Sequence, residues 1–195
     1  MIVDLKFDIA GKRFPCDHGY KLYAALCARM PELKAASFAL LPVRGVKTQG
    51  RSNLQLTPRS RLGVRTDTDT AAQIAFHFMN SALRIGDNTF RLGEATAYPL
   101  VPGTRHRAQM VTVRNHEHDT PAEFEQHLRS RLLDCGLDVG VTAQKATYMH
   151  IHKHPVTGYT CLFDSDINTS VALQECGVGG RRKMGCGVIE LSLEG

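Results

Sequence analysis

The sequence predicts an α+β protein made of two tandem units, each ordered β-α-β-β-α-β, and three observations carry that prediction. Segments with the two-residue period of half-buried strands and segments with the 3.6-residue period of helices follow one another in the same order twice. An aperiodic stretch over residues 95–105, with Pro99, Pro102 and Gly103, separates the two passes. The second pass closes on a glycine-rich basic loop at 177–187 that runs into a last apolar strand. This order is that of ferredoxin-like (RRM-like) units, whose two helices cover one face of an antiparallel sheet and leave the other face for RNA. The expected division is a first unit over 1–94, a linker over 95–105 and a second unit over 106–195.

In the first unit, residues 2–9 alternate Ile, Val, Leu, Phe and Ile with smaller or polar residues and read as a strand that turns at Gly11. Asp17 is placed to cap a helix that ends at Pro31. Leu22, Leu26, Met30 and Tyr23 fall on one side of it, with His18, Lys21 and Arg29 along the edge of that stripe. Strands follow at 38–43 and 61–66. Between them lie a basic, glycine-containing excursion at 44–51, read as a hairpin arm, and a short strand at 54–56. Thr68 or Asp69 opens a second helix carrying Ala72, Ala75, Phe78, Met79, Ala82 and Leu83, which Gly86 closes before a strand at 88–92.

The second unit begins with a strand at 108–113. Thr120-Pro121-Ala122-Glu123 is a capping box with proline at the first helical position, and Phe124, Leu128 and Leu132 recur every four residues until Gly136. Strands at 146–152 and 158–163 form a hairpin around Pro155, a short helix covers 168–176, and the last strand is 188–193. The halves show no sequence repeat, so the duplication rests on element order.

A chain of 195 residues with 43% hydrophobic content can bury one good core or two small ones. Its net charge of +5 suits a polyanionic partner. The six cysteines, at 16, 27, 135, 161, 176 and 186, contain no Cys-x-x-Cys pair and read as reduced, mostly buried thiols. With apolar runs far too short to span a bilayer, the expected location is the cytoplasm.

The loop at 177–187 sets Gly177, Gly179, Gly180, Gly185 and Gly187 around Arg181, Arg182 and Lys183, so that a partner can approach the backbone beside three cations. A helix precedes it and a strand follows, the reverse of a P-loop or dinucleotide loop, so those nucleotide sites are excluded. The alternative is a surface turn made soluble by its charge. His18, in the first turn of a helix beside Lys21, is an imidazole whose pKa the helix dipole lowers, which suits acid–base work; a capping or core histidine is the alternative. Tyr148, His150, His152 and His154 are expected on one face of a strand. They fit stacking of RNA bases better than metal binding, because same-face neighbours on a strand lie about 7 Å apart. His116-Glu117-His118-Asp119 reads as a polar turn, and Asp164 with Asp166 lacks the second carboxylate cluster of a two-metal nuclease. No metal or cofactor is therefore expected. Arg44, Lys47, Arg51, Arg59, Arg61 and Arg65 could position a phosphate backbone.

The run 177–187, followed by an apolar strand, resembles the C-terminal glycine-rich loop of the RAMP superfamily of CRISPR-associated proteins. Residues 14–26, Phe-Pro-Cys-Asp-His-Gly-Tyr-Lys-Leu-Tyr-Ala-Ala-Leu, and 173–187 together resemble the Myxan-type branch of the endoribonuclease that processes CRISPR precursor RNA. The resemblance implies a catalytic group in or just after the first helix. It falls on His18, with Tyr20, Lys21 and Tyr23 assisting; Tyr20 and Tyr23 also suit simple packing. It further implies RNA contacts from the glycine-rich loop, and beside them Arg44, Lys47, Arg59 and Arg61, by their charge, and Tyr148, His150 and His152, by their stacking surfaces, are the RNA-binding candidates read from the residues themselves. The implied partners are CRISPR repeat RNA, precursor and mature, and other effector-complex subunits. The implied reaction is metal-independent attack by a ribose 2′-hydroxyl. Two rivals stand beside it: a RAMP-type subunit that binds guide RNA without cutting, and a metal-dependent phosphoesterase using His150, His152 and His154.

Overall fold

In the computed structural model, which describes residues 1–11, 13–47, 53–114 and 119–192, the chain forms two compact units, Met1–Pro99 and Leu100–Gly195. The first is built on strand β1 (Ile2–Ala10), whose alternation buries Val3, Leu5, Phe7 and Ile9. After it come β2 (Phe14–Pro15), α1 (Gly19–Arg29), β3 (Ala39–Leu41), β4 (Val46–Lys47), β5 (Asn53–Gln55), β6 (Arg61–Asp67), α2 (Thr68–Phe78), β7 (Ala82–Ile85) and β8 (Asn88–Pro99). Among the described residues the main sheet is antiparallel in the order β3-β6-β1-β8-β7. Leu22 and Leu26 of α1 and Ala71, Ile74 and Phe78 of α2 share one core with the buried side chains of β1. This is a ferredoxin-like unit with one extra edge strand.

That extra strand corrects the expected second helix. Asp67 caps α2 by accepting from the Asp69 and Thr70 amides, but the helix stops at Phe78. Residues 82–85 instead form β7, where Leu83 and Ile85 are buried and Ala82 and Arg84 exposed, the two-residue period of a strand. Gly86, at φ 60°, turns the β7–β8 hairpin rather than ending a helix. The expected linker also changes. Residues 95–99 continue β8 and pair with β1 from Val3↔Pro99 to Phe7↔Ala95.

The second unit runs β9 (Arg105–Val111), α3 (Pro121–Asp134), β10 (Gly140–Ile151), β11 (His154–Asp164), α4 (Ser170–Cys176) and β12 (Glu190–Leu191). Its sheet, in the order β10-β11-β9-β12, repeats the ferredoxin-like arrangement. The capping box at Thr120 is formed in full, and Phe124, Leu128 and Leu132 pack with Val141, Phe163, Leu173 and Ile189. Segment 100–104 is tied to α4: the Gly103 amide donates to Ser170 Oγ and Gln174 donates to the Val101 carbonyl. Only Glu190 and Leu191 of the expected last strand pair with β9, although Val188 and Ile189 are buried. Much of the arm at 44–51, including Arg51, and the turn at 116–118 lie outside the described residues.

Candidate nucleic-acid interface

His18 occupies the cap position of α1, and its ring is held from both sides. Nδ1 donates to the Pro15 carbonyl at 2.9 Å, and the Val43 amide donates to Nε2 at 3.2 Å. That pair of bonds selects the Nδ1–H tautomer. The ring also meets Phe14 edge-on at 4.8 Å. Burial lowers its pKa below the ordinary 6.5, while the Pro15 and Cys16 backbone and the Asp17 charge pull it back up. His18 therefore links α1 to β2 and to the segment entering β4. It places the exposed Arg44 near the start of that helix, because Val43 is adjacent to Arg44, and exposed Lys47 follows in β4.

The other helix residues divide clearly. Lys21 is exposed and Tyr20 half-buried. Tyr23 packs against Phe38 at 6.3 Å, and its hydrogen bond to Cys27, with some burial, raises its pKa. That is the packing role open to an aromatic residue. Arg59 is exposed, whereas Arg61 is committed to the fold: it donates to the Pro58 and Ser60 carbonyls and pairs with Asp8 at 3.0 Å. Arg65 is buried in a bidentate pair with Asp4, at 2.7 and 3.1 Å, and leaves the set of phosphate-binding candidates. Sequence reasoning missed Tyr98, which lies in the supposed linker. Its ring, 47% exposed, receives Lys6 Nζ at 5.3 Å on the sheet face away from α1 and α2. The alternation of Tyr98 and Thr96 with Ala97 and Ala95 was the available signal.

In the second unit the glycines serve the loop's own backbone. A Cβ on Gly179 (φ 76°) would lie 2.5 Å from the Thr112 carbonyl oxygen, and one on Gly187 (φ 66°) would overlap the Val178 carbonyl. The Gly180 amide donates to Thr112 O and the Gly187 amide to Met110 O, so the loop is laced to β9 and the residue after it. Gly180 alone among Gly177, Gly179, Gly180 and Gly187 could carry a Cβ without a clash, its nearest neighbour, the Thr112 carbonyl oxygen, lying at 3.8 Å. Arg181, in the left-handed region at φ 61°, starts a 3-10 turn over Arg182–Met184 that Gly185 ends. Arg182 donates to the Glu175 carbonyl at 3.0 Å, bracing the loop on the C-terminal end of α4, while Arg181 and Lys183 are half-buried.

The histidine-rich segment is a hairpin tip and not one strand. The turn is His152–Lys153, with His152 at φ 55°, and Pro155 sits within β11 opposite His150. Cross-strand pairs share a face, so His154, opposite Ile151, lies on the other side from His150. The three histidines do not line one face, and among the described residues no group of three His, Cys, Asp or Glu side chains is disposed to hold a metal. The tip has two distinct faces. Met149 and Val156 are buried, and the Cys186 thiol donates to Met149 Sδ at 3.3 Å, anchoring the hairpin to the glycine-rich loop. Tyr148, 66% exposed, and His150 project from the opposite face.

The comparisons with known proteins bear on this arrangement. The family model described as Cas6 Crispr matches residues 3–190. A curated relative, the CRISPR-associated endonuclease Cas6 of Myxococcus xanthus (strain DK1622), is 28% identical over 190 residues, covering 96% of this chain and 80% of its own. Among solved structures, a RAMP protein binding different RNA substrates superposes with TM-score 0.73 at 14% identity, over 97% of this chain and 99% of that one. A Cas6-related protein from Pyrococcus furiosus superposes with TM-score 0.71 at 12% identity over the whole of both chains. These structures share the double ferredoxin-like fold, and among the described residues no helix is long and apolar enough to cross a membrane. With the family model spanning nearly all of the chain and both ends of the resemblance within it, the chain belongs to the Cas6 family of CRISPR proteins.

Proposed function

We propose that this chain is an endoribonuclease that cuts CRISPR precursor RNA within each repeat, in the cytoplasm and without a metal ion. The observation that carries the reading is the family match over residues 3–190, together with a relative that is itself a CRISPR-associated endonuclease. A ribose 2′-hydroxyl attacks the adjacent phosphorus and the 5′-oxygen leaves. The products are a 2′,3′-cyclic phosphate and a 5′-hydroxyl, and the step needs in-line geometry, proton transfer and charge stabilisation.

In this reading the start of α1 is the cutting region. Lys21, exposed there, stabilises charge on the phosphate, and Tyr20 assists. His18 takes a proton only when the Val43 amide releases Nε2; otherwise it holds the basic segment at Arg44 and Lys47 in place. Arg59, Arg181 and Lys183 contact phosphates, and Tyr148 and His150 offer surfaces for base stacking. Repeat RNA is the partner, and further CRISPR subunits are candidates beside it.

One observation favours the second reading, a RAMP-type subunit that binds guide RNA without cutting: both His18 nitrogens are already bonded. Purified protein incubated with repeat RNA in chelator separates the readings. Two fragments with a cyclic phosphate are expected. A mobility shift without fragments both with and without chelator establishes the binder, and cleavage that appears only without chelator establishes a metal-dependent enzyme.

A further inference from the structure

The face of the first sheet turned away from α1 and α2 carries side chains that neither the start of α1 nor the glycine-rich loop uses. Strand register assigns them to that face. Asp4 lies opposite Tyr98, Lys6 opposite Thr96 and Ala10 opposite Arg91 across β1 and β8, while Arg84 of β7 lies opposite Thr89. Toward β3 the face is closed, since Asp4 and Arg65 neutralise each other in burial and Ala39 and Leu41 beside them are buried. Toward β7 it is open, with Thr96, Tyr98, Arg91, Thr89 and Arg84 exposed and Lys6 half-buried. Asp8 is already paired with Arg61 at 3.0 Å, and Glu94, at the β8 bulge, is one negative charge against the three cations Lys6, Arg84 and Arg91.

We propose that this open half is a binding site for single-stranded RNA, in which Tyr98 stacks on a base and Lys6 and Arg91 contact phosphates. Lys6 Nζ, 5.3 Å from the Tyr98 ring centroid, fixes the ring by a cation–π contact while the residue stays 47% exposed. A fixed aromatic face beside cations accepts any unstacked base and its phosphate, whereas the bases of a duplex present no free face to it. The partners of Tyr98 and Arg91 on β1, Asp4 and Ala10, are six residues apart, so the ring and the guanidinium lie about 20 Å apart along the sheet and the strand between them spans more than one nucleotide. The inference rests on the RNA-processing reading for the class of ligand and adds a surface to it.

The test is photo-cross-linking of the intact chain to an oligouridine carrying 4-thiouridine, followed by digestion and mass mapping. A cross-link in the tryptic peptide 92–105, whose one aromatic residue is Tyr98, is expected. Affinity for labelled oligouridine, read by fluorescence anisotropy, should fall about 5- to 150-fold in Tyr98→Ala and stay near the parental value in Tyr98→Phe, which keeps the ring. Lys6→Ala and Arg91→Ala should each reduce the slope of log affinity against log salt by about 0.7. The cross-link is read on the parental chain and so does not depend on how a variant folds. Cross-links confined to 177–187 or to the β10–β11 hairpin, or unchanged affinity in folded Tyr98→Ala, would overturn the proposal. Cleavage of repeat RNA, measured alongside, keeps the two readings apart. Cleavage by the parental chain with no cross-link in 92–105 removes this surface and leaves the nuclease, whereas a cross-link there without cleavage removes the nuclease and leaves the surface.

Discussion

His18 is asked to do two things by one ring. Its bonds to Pro15 and Val43 make it part of the scaffold, and a proton-transfer role needs one of those bonds opened. Replacing it with alanine leaves a half-buried carbonyl and amide without their partner, so a loss of about 1–3 kcal/mol in denaturant unfolding is expected. If His18 also transfers a proton, single-turnover cleavage falls by about 10² to 10⁴ under conditions where the variant is still folded. Its lowered pKa sets the sign of the acid response. The folded chain binds this proton less readily than the unfolded one. The contribution is therefore complete above the ordinary 6.5 and is lost as pH falls through the lower folded value. Melting temperature should drop on acidification through that window, with a shallower slope in His18→Asn; identical slopes would remove His18 from the acid response. Lys21→Ala, on an exposed side chain, should change stability by no more than about 0.5 kcal/mol while slowing cleavage.

At the scale of elements, the glycine-rich loop separates residues needed for its shape from those left to meet a ligand. Gly179→Ala puts a methyl against the Thr112 carbonyl at positive φ, so a loss of at least about 1–3 kcal/mol in unfolding is expected. Gly180→Ala makes only ordinary contact with Thr112 and should fold normally. A drop in RNA affinity for Gly180→Ala alone would mark the point where a phosphate approaches the backbone. The cations divide similarly. Arg181→Ala with Lys183→Ala should reduce the slope of log affinity against log salt by about 0.7 for each single-strand phosphate that is no longer neutralised. Arg182→Ala should act chiefly by loosening the brace on Glu175 and lowering the melting temperature. The β10–β11 hairpin repeats the pattern, since Met149 fixes its inner face while Tyr148 can be replaced without cost to folding.

For the molecule as a whole, two ferredoxin-like units with separate cores carry the proposed recognition surfaces, and the net charge of +5 favours a phosphate-rich partner. Cleavage in excess chelator at the rate seen without it, with a cyclic phosphate on the upstream fragment, is the expected behaviour of the intact protein. A linear 3′-hydroxyl end would refute attack by the 2′-hydroxyl.

Element order, the capping box at Thr120 and the buried stripe of α1 were legible in the sequence because each depends on residues within a few positions of one another. Tyr98 and residues 82–85 were not. A partner strand decides their state: β1 claims residues 95–99 and β8 claims 82–85. The same holds within the candidate site. Sequence located His18 and the basic triplet, since residue type and spacing mark them. Only the tertiary structure showed that Val43 occupies the His18 lone pair, that Asp4 neutralises Arg65 and that a turn at His152 splits the histidine row. Hydrogen bonds and ion pairs across 25 and 61 positions, and the strand register, depend on how the chain folds back on itself, which no local pattern encodes.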